Sequence, residues 1–115
     1  MNRTSITLLT LFLGVIFLCR SQETQVYSNP NKTYQDALAL YNNQQYQAAQ
    51  ALFEKVRATT DDGETEANSA YYAANAAIRL NQRGADRLME EFVENYPTST
   101  KRNSAFMDVA DYYFE

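Results

Sequence analysis

The stretch that decides the fold is residues 34–56, which read YQDALALYNNQQYQAAQALFEKV. Two runs in it are rich in Ala, Leu and Gln, which are good helix formers, and a polar NNQQ segment separates them. Apolar residues recur in each run at helical spacing, so the stretch predicts two helices joined by a short turn. Because so short a connection places consecutive helices side by side and antiparallel, residues 34–56 are predicted to form a helical hairpin.

The same composition continues from this hairpin to Glu115. Gly63, Gly84 and Pro97 fall between further apolar runs. Helices are predicted over residues 33–43, 46–59, 64–80, 84–95 and 101–115. The predicted fold class is therefore all-α, with antiparallel helical hairpins following one another along the chain.

Self-similarity at a spacing of 36 residues is the second decisive feature of the sequence. The small positions let the two helices of a hairpin approach closely, and the large positions fill the space between successive hairpins. The residues predicted to define this packing are Ala37, Ala49 and Phe53 in the first copy and Ala73, Ala85, Met89 and Phe92 in the second. Because a single hairpin cannot bury both of its apolar faces, the pattern predicts a short solenoid of stacked hairpins. An ordinary antiparallel bundle is the alternative.

Residues 34–56 resemble a tetratricopeptide repeat. Tyr46 follows the turn, the small Ala49 comes three positions later, and the aromatic Phe53 comes four positions after that. The first helix departs from the family pattern, because Thr33 and Ala37 stand where the family usually has Trp and Gly.

The second copy carries a weaker form of the same resemblance. It keeps Ala85, has Gln82 in place of the turn tyrosine, and ends in Tyr-Pro-Thr-Ser at residues 96–99. This ending and the 36-residue spacing are similar to bacterial envelope members of the family, of the cell-division-coordinator and outer-membrane-assembly types. The resemblance covers residues 33–115. The repeats that it implies are about 33–63 and 64–100, with a partial repeat over 101–115.

The resemblance implies a non-catalytic scaffold that binds a protein or peptide partner. Family members dock ligands along the exposed stripe of the first helix of each hairpin, and tyrosine suits such a surface because it buries a large area and keeps a polar tip. In the 36-residue register the candidate groove residues are Leu38, Tyr41, Asn42, Ala74, Ile78, Tyr113 and Phe114. A core position is the alternative for Tyr41 and the expectation for Tyr34.

Composition excludes several classes of function. The sequence has no histidine and its single cysteine is Cys19, which excludes the usual catalytic triad, most zinc and haem sites, and an internal disulfide. Ten basic against fourteen acidic residues give a net charge of −4, which argues against nucleic-acid binding through phosphate neutralisation. The acidic residues near Glu90 and around residues 61–66 are interpreted as a solvated face and a helix cap rather than cation sites. We therefore expect no enzyme activity, no cofactor and no metal.

Residues 1–21 have the three-part build of a secretory signal peptide. Arg3 supplies the positive start, residues 6–18 form the apolar run, and Ser21 precedes the expected cleavage site. The run is shorter than the roughly 20 residues that a membrane-spanning helix needs, and an uncleaved anchor is the alternative. Cleavage leaves 94 residues with eight basic and fourteen acidic side chains, a net charge of −6, and a flexible leader over residues 22–32. The expected location is the bacterial periplasm or the outer membrane.

A lipid on Cys19 is a second way for this segment to hold the protein at a membrane. A bacterial lipobox has a small residue immediately before the cysteine, whereas this chain has Leu18 there. Without the lipid, contact with a membrane is expected only through the signal peptide.

The last predicted helix is strongly apolar, whereas solenoids normally end in a polar capping helix. We therefore expect either that the chain is the N-terminal part of a longer repeat protein or that it self-associates through residues 103–115. Two alternative functions stay open at this point. One is a structural homo-oligomerisation module, and the other is an accessory region of an enzyme or envelope-polymer-binding protein whose active domain lies beyond residue 115.

Overall fold

The computed structural model describes residues 29–114, and this part of the chain is all-α, as the sequence predicts. The signal peptide predicted over residues 1–21, the lipid predicted as an alternative on Cys19 and the leader residues before Asn29 lie outside the described residues. No strand occurs between residues 29 and 114. The helices are α1 (Pro30–Asn42), α2 (Tyr46–Thr59), α3 (Gly63–Arg79), α4 (Ala85–Asn95) and α5 (Arg102–Phe114).

The first helix begins earlier than the sequence predicts. We expected a flexible leader through residue 32, but α1 begins at Pro30. Asn29 is its N-cap, since the side-chain Oδ1 accepts a hydrogen bond from the backbone N–H of Asn31 at 3.0 Å. Proline fits the first helical position, because its fixed φ angle suits a helix and no N–H is needed there. The prediction of a leader is therefore wrong for its last three residues.

Two turns of the same construction join α1 to α2 and α3 to α4. Gln44 and Asn81 adopt the left-handed conformation, with φ angles of 63° and 53°. In each turn the N–H of the next residue donates to a carbonyl five residues back, at 2.9 Å for Gln45 and 3.0 Å for Gln82. This is the Schellman arrangement, which satisfies carbonyls left free at a helix end. The two turns therefore reverse the chain in the same way and produce two similar hairpins.

The third helix has a charged cap at its start. The carboxylate of Asp62 accepts hydrogen bonds from the backbone N–H of Thr65 at 2.9 Å and from its hydroxyl at 2.6 Å. These bonds lower the pKa of Asp62. The prediction that this acidic segment caps a helix is therefore confirmed.

The helices pack so that the odd-numbered ones meet on one side. Each helix contacts the next along the chain, and α3 also contacts α1 and α5, whereas no Cα atoms of α2 and α4 lie within 8 Å of one another. α3 is consequently the central helix, and nine of its seventeen residues are buried.

Two clusters of buried side chains form the core. The first lies between the first hairpin and α3 and includes Phe53, and the second lies among α3, α4 and α5 and includes Phe92. Tyr72 packs against both clusters, and its ring stacks on that of Phe53 with centroids 5.2 Å apart. The seven residues predicted from the repeat to define the packing are all buried: Ala37, Ala49, Phe53, Ala73, Ala85, Met89 and Phe92.

Candidate functional site

A polar network lies on the side where the odd-numbered helices meet. Its centre is Asn75, which interrupts a run of alanines in α3 and is only 3% exposed. The Asn75 Oδ1 accepts a hydrogen bond from the hydroxyl of Tyr41 on α1, at 2.7 Å. Its Nδ2 donates to the Asp108 carboxylate on α5, also at 2.7 Å. One buried amide thus connects all three odd-numbered helices.

Asp108 receives a second hydrogen bond from α3. The hydroxyl of the buried Tyr71 donates to the same carboxylate oxygen, Oδ2, at 2.7 Å. Burial and this bond to a carboxylate raise the pKa of Tyr71 well above the usual range of a phenol, because both disfavour its ionised form. Asp108 therefore holds α5 against α3 through two buried donors.

Tyr41 belongs to both the core and the network. Its ring makes edge contacts with the rings of Tyr46, Phe53 and Tyr72, at centroid distances of 5.3, 6.5 and 5.2 Å. Burial raises the pKa of its hydroxyl, and the positive charge of Arg79 partly offsets that effect. The ring of Tyr41 is thus packed as the core alternative predicts, and its hydroxyl belongs to the polar network.

A cleft of about 240 Å³ opens beside the network, between the C-terminal end of α3 and α5. Arg79 is exposed beside it and donates from Nε to Asn75 Oδ1 at 3.4 Å. Within residues 29–114 the guanidinium forms no salt bridge. The side chains that line the cleft are those of Asn75, Ile78, Arg79, Asn81, Asp108, Asp111 and Tyr112. They include one positively charged group, two carboxylates and neutral amides, beside the apolar surfaces of Ile78 and Tyr112. Such a lining suits the backbone and side chains of a peptide.

The structure brings only some of the predicted groove residues to this cleft. Ile78 lines it, and Tyr41 lies beside it through Asn75. Leu38 is half-buried against the first cluster, and Asn42 is exposed at the last turn of α1. Phe114 is 90% exposed at the end of α5.

Two of the predicted groove residues lie elsewhere. Ala74 is buried in the second cluster together with Phe92, so it offers no surface to a ligand. Tyr113 turns away from α3, because its hydroxyl donates to the carboxylate of Asp86 on α4. The groove positions predicted for these two residues are corrected accordingly.

The cleft also contains residues that sequence reasoning missed, above all Asn75, Arg79, Asp108 and Tyr112. A usable signal was present, since Asn75 and Arg79 are four residues apart, as are Asp108 and Tyr112, which places each pair on one helix face. The two turns differ slightly from the predicted repeat, since their left-handed residues Gln44 and Asn81 are 37 residues apart, whereas buried core positions such as Phe53 and Met89 keep the spacing of 36.

Comparisons with protein-family models, curated proteins and solved structures give no match for this chain. No helix in the described part of the chain combines the length and the apolar character needed to cross a membrane. Between residues 29 and 114, acidic side chains nowhere gather in a group of three or more that could hold a metal ion.

Proposed function

We propose that this protein is a non-catalytic scaffold of tetratricopeptide type, which binds a peptide or protein segment along the face shared by α1, α3 and α5. The observation that carries the proposal is the cleft at Asn75 and Arg79, where a buried polar network is continuous with an exposed cation. The contacts of α3 with α1 and α5, together with the separation of the α2 and α4 backbones by more than 8 Å between Cα atoms, support stacked hairpins rather than a closed bundle.

The chemistry of the cleft favours a peptide with an acceptor group opposite Arg79. A guanidinium binds carboxylates in two parallel hydrogen bonds, so an acidic side chain or a terminal carboxylate is the preferred partner of that residue. Asp111 and Asn81 add an acceptor and an amide for the neighbouring groups of the ligand. The buried Asn75 accepts a hydrogen bond from Arg79 at 3.4 Å and so helps to hold the guanidinium in place, and such preorganisation favours binding.

The cell envelope of a bacterium is the proposed location. It rests on the signal-peptide pattern of residues 1–21 and on the resemblance of residues 33–115 to envelope members of the repeat family. Homo-oligomerisation is the second candidate function, and the observation that favours it is the exposure of Phe106 and Phe114 on α5, at 55% and 90%.

Photo-cross-linking tests the proposed groove directly. We suggest replacing Arg79 with the photoreactive residue benzoylphenylalanine, and Arg87 of α4 likewise as a matched control, since both arginines are exposed. Irradiation of cells that produce each variant, followed by mass spectrometry, identifies the molecules in contact with each position. We expect a specific cross-linked protein from position 79 and not from position 87.

Binding measurements on the captured partner complete the test. Arg79→Ala is expected to weaken binding about tenfold, the usual effect of losing a hydrogen bond to a charged group, and Arg87→Ala is expected to leave it unchanged. Equal cross-linking from both positions, or wild-type affinity in Arg79→Ala, contradicts the groove assignment. Cross-linking of this chain only to itself favours the oligomerisation function instead.

A further inference from the structure

Exposed apolar surface is concentrated on the last described helix. Six large apolar side chains are exposed within residues 29–114, and four of them belong to α5. They are Phe106, Met107, Tyr113 and Phe114. Phe106 and Tyr113 are seven residues apart and thus lie on one stripe of α5, beside α4.

A groove of about 280 Å³ follows this stripe, between α4 and α5. Met89 and Val93 line it from α4, and Phe106 and Val109 line it from α5. Its walls are two antiparallel helices. The end of α5 meets the start of α4, where the Tyr113 hydroxyl donates a hydrogen bond to Asp86. The groove is thus an apolar channel between two helices that are in contact along its length.

One edge of the channel is acidic. Glu90 and Glu94 also line it, one helical turn apart on α4, and both are exposed. Within residues 29–114 neither carboxylate forms a salt bridge, whereas Glu91 on another face of α4 is paired with Arg87 at 3.6 Å. The opposite edge is formed by the aromatic ring of Phe106.

We propose that this α4–α5 channel binds an amphipathic helix that carries an apolar stripe and, along one side of that stripe, Lys or Arg residues. The apolar stripe fills the space between Met89, Val93 and Phe106, and the basic residues face Glu90 and Glu94. A helix laid into a groove between two helices buries apolar side chains one turn apart, and the charges at the rim select the partner and its direction.

Charge favours such a helix over a second copy of this chain. The charged residues of α5 are Arg102, Asp108 and Asp111, so a second copy of α5 brings more acidic than basic groups to an acidic rim. The whole chain is also acidic, with a net charge of −4. A basic partner is instead attracted both to the acidic rim and to the acidic chain as a whole.

The channel is distinct from the polar cleft of the proposed function. Phe106 and Asp108 are two residues apart, which corresponds to about 200° of rotation, so they lie on opposite sides of α5. Loss of binding at one surface therefore says nothing about the other.

Two synthetic peptides and the full chain provide the test. Each fluorescently labelled peptide has about 14 residues, the length of α5, with Leu at helical spacing in an Ala-rich sequence. One carries Lys beside the Leu stripe, and the other carries Glu at the same positions. Fluorescence anisotropy is expected to show saturable binding of the Lys peptide, about tenfold tighter than that of the Glu peptide.

Matched variants locate the binding. Phe106→Ala is expected to weaken binding of the Lys peptide about tenfold. Met107 is also exposed but lies on another face of α5, so Met107→Ala is expected to leave that binding unchanged. Glu94→Gln is expected to weaken it about threefold and Glu91→Gln to have no effect. In Glu94→Lys the preference shifts towards the Glu peptide.

Several results overturn the proposal. Absence of saturable binding, equal binding of the two peptides, or unchanged binding in Phe106→Ala each excludes a basic helix from the channel. Light scattering supplies the remaining check. The protein could form a dimer that the Phe106→Ala substitution dissociates but that added Lys peptide leaves intact. That result assigns the channel to a second copy and overturns the proposal as well.

Discussion

The helices α3 and α5 are both rich in apolar residues but differ sharply in burial. Nine of the seventeen residues of α3 are buried, against one of the thirteen residues of α5, namely Ala105. α3 contacts all four other described helices, whereas α5 contacts only α3 and α4. The number of neighbours, rather than the apolar content of the helix itself, therefore determines how much of each helix is core.

The same substitution made in both helices gives the largest expected difference. Ala74 and Ala110 are 36 residues apart, and Ala74 is 3% exposed whereas Ala110 is only half-buried. Ala74→Phe is expected to reduce the free energy of unfolding by about 3 kcal/mol, because the added ring has no space in the packed core. Ala110→Phe is expected to change it by less than about 0.5 kcal/mol. Urea unfolding followed by circular dichroism measures both.

Equal losses in the two variants contradict the comparison, since they require α5 to be as tightly surrounded as α3. A change in the slope of the unfolding curve is to be checked first, because it indicates a change in the unfolded or folded state rather than in stability alone.

The attachment of α5 to α3 is expected to give an intermediate effect. Asp108→Ala removes the acceptor of the buried Tyr71 hydroxyl and the shorter of the two hydrogen bonds that the buried Asn75 amide donates, leaving that amide only its 3.4 Å bond to Tyr71. The expected loss is about 2 kcal/mol in the free energy of unfolding. Asp111→Ala, on the same helix and exposed, is the control and is expected to change stability by less than about 0.5 kcal/mol. An unchanged free energy of unfolding in Asp108→Ala means that α5 is held by its apolar contacts alone.

The smallest expected effect on the free energy of unfolding is that of alkaline pH, because stability begins to fall only at the pH at which tyrosines ionise. The pKa values of Tyr41 and Tyr71 are raised in the folded protein by burial, and for Tyr71 also by its bond to Asp108. Below about pH 10 both hydroxyls are neutral in the folded and unfolded states, so their contribution is fully present. As the pH rises further, the unfolded chain loses these protons first and the free energy of unfolding falls.

The measurement compares urea unfolding at about pH 8 and about pH 11 for the wild type and Tyr71→Phe. The variant is expected to be less stable at the lower pH, since it lacks one hydrogen bond, and to lose less stability on going to the higher pH. A decline of the same size in both proteins shows that the Tyr71 hydroxyl takes no part in it.

The helices could be predicted from the sequence because their ends depend on local features. The bounds of α2, Tyr46–Thr59, agree with the prediction at both ends, and the other helices begin one to three residues from their predicted starts. The site was less predictable, because its contacts join residues more than 30 positions apart, such as Tyr41 with Asn75. Those contacts depend on how α3 and α5 are rotated about their axes, and the one residue that separates Tyr113 from Tyr112 corresponds to about 100° of that rotation.

Tyr72 has a consequence for how the molecule unfolds. Arrays of stacked hairpins unfold piecewise when the interface between neighbours is weak and as one unit when it is strong. Because the ring of Tyr72 packs in both clusters, separating the two hairpins exposes core on both sides at once. We expect α1 to α4 to melt in a single cooperative transition, while α5, which has few buried contacts, frays at lower temperature and exchanges its amide protons first.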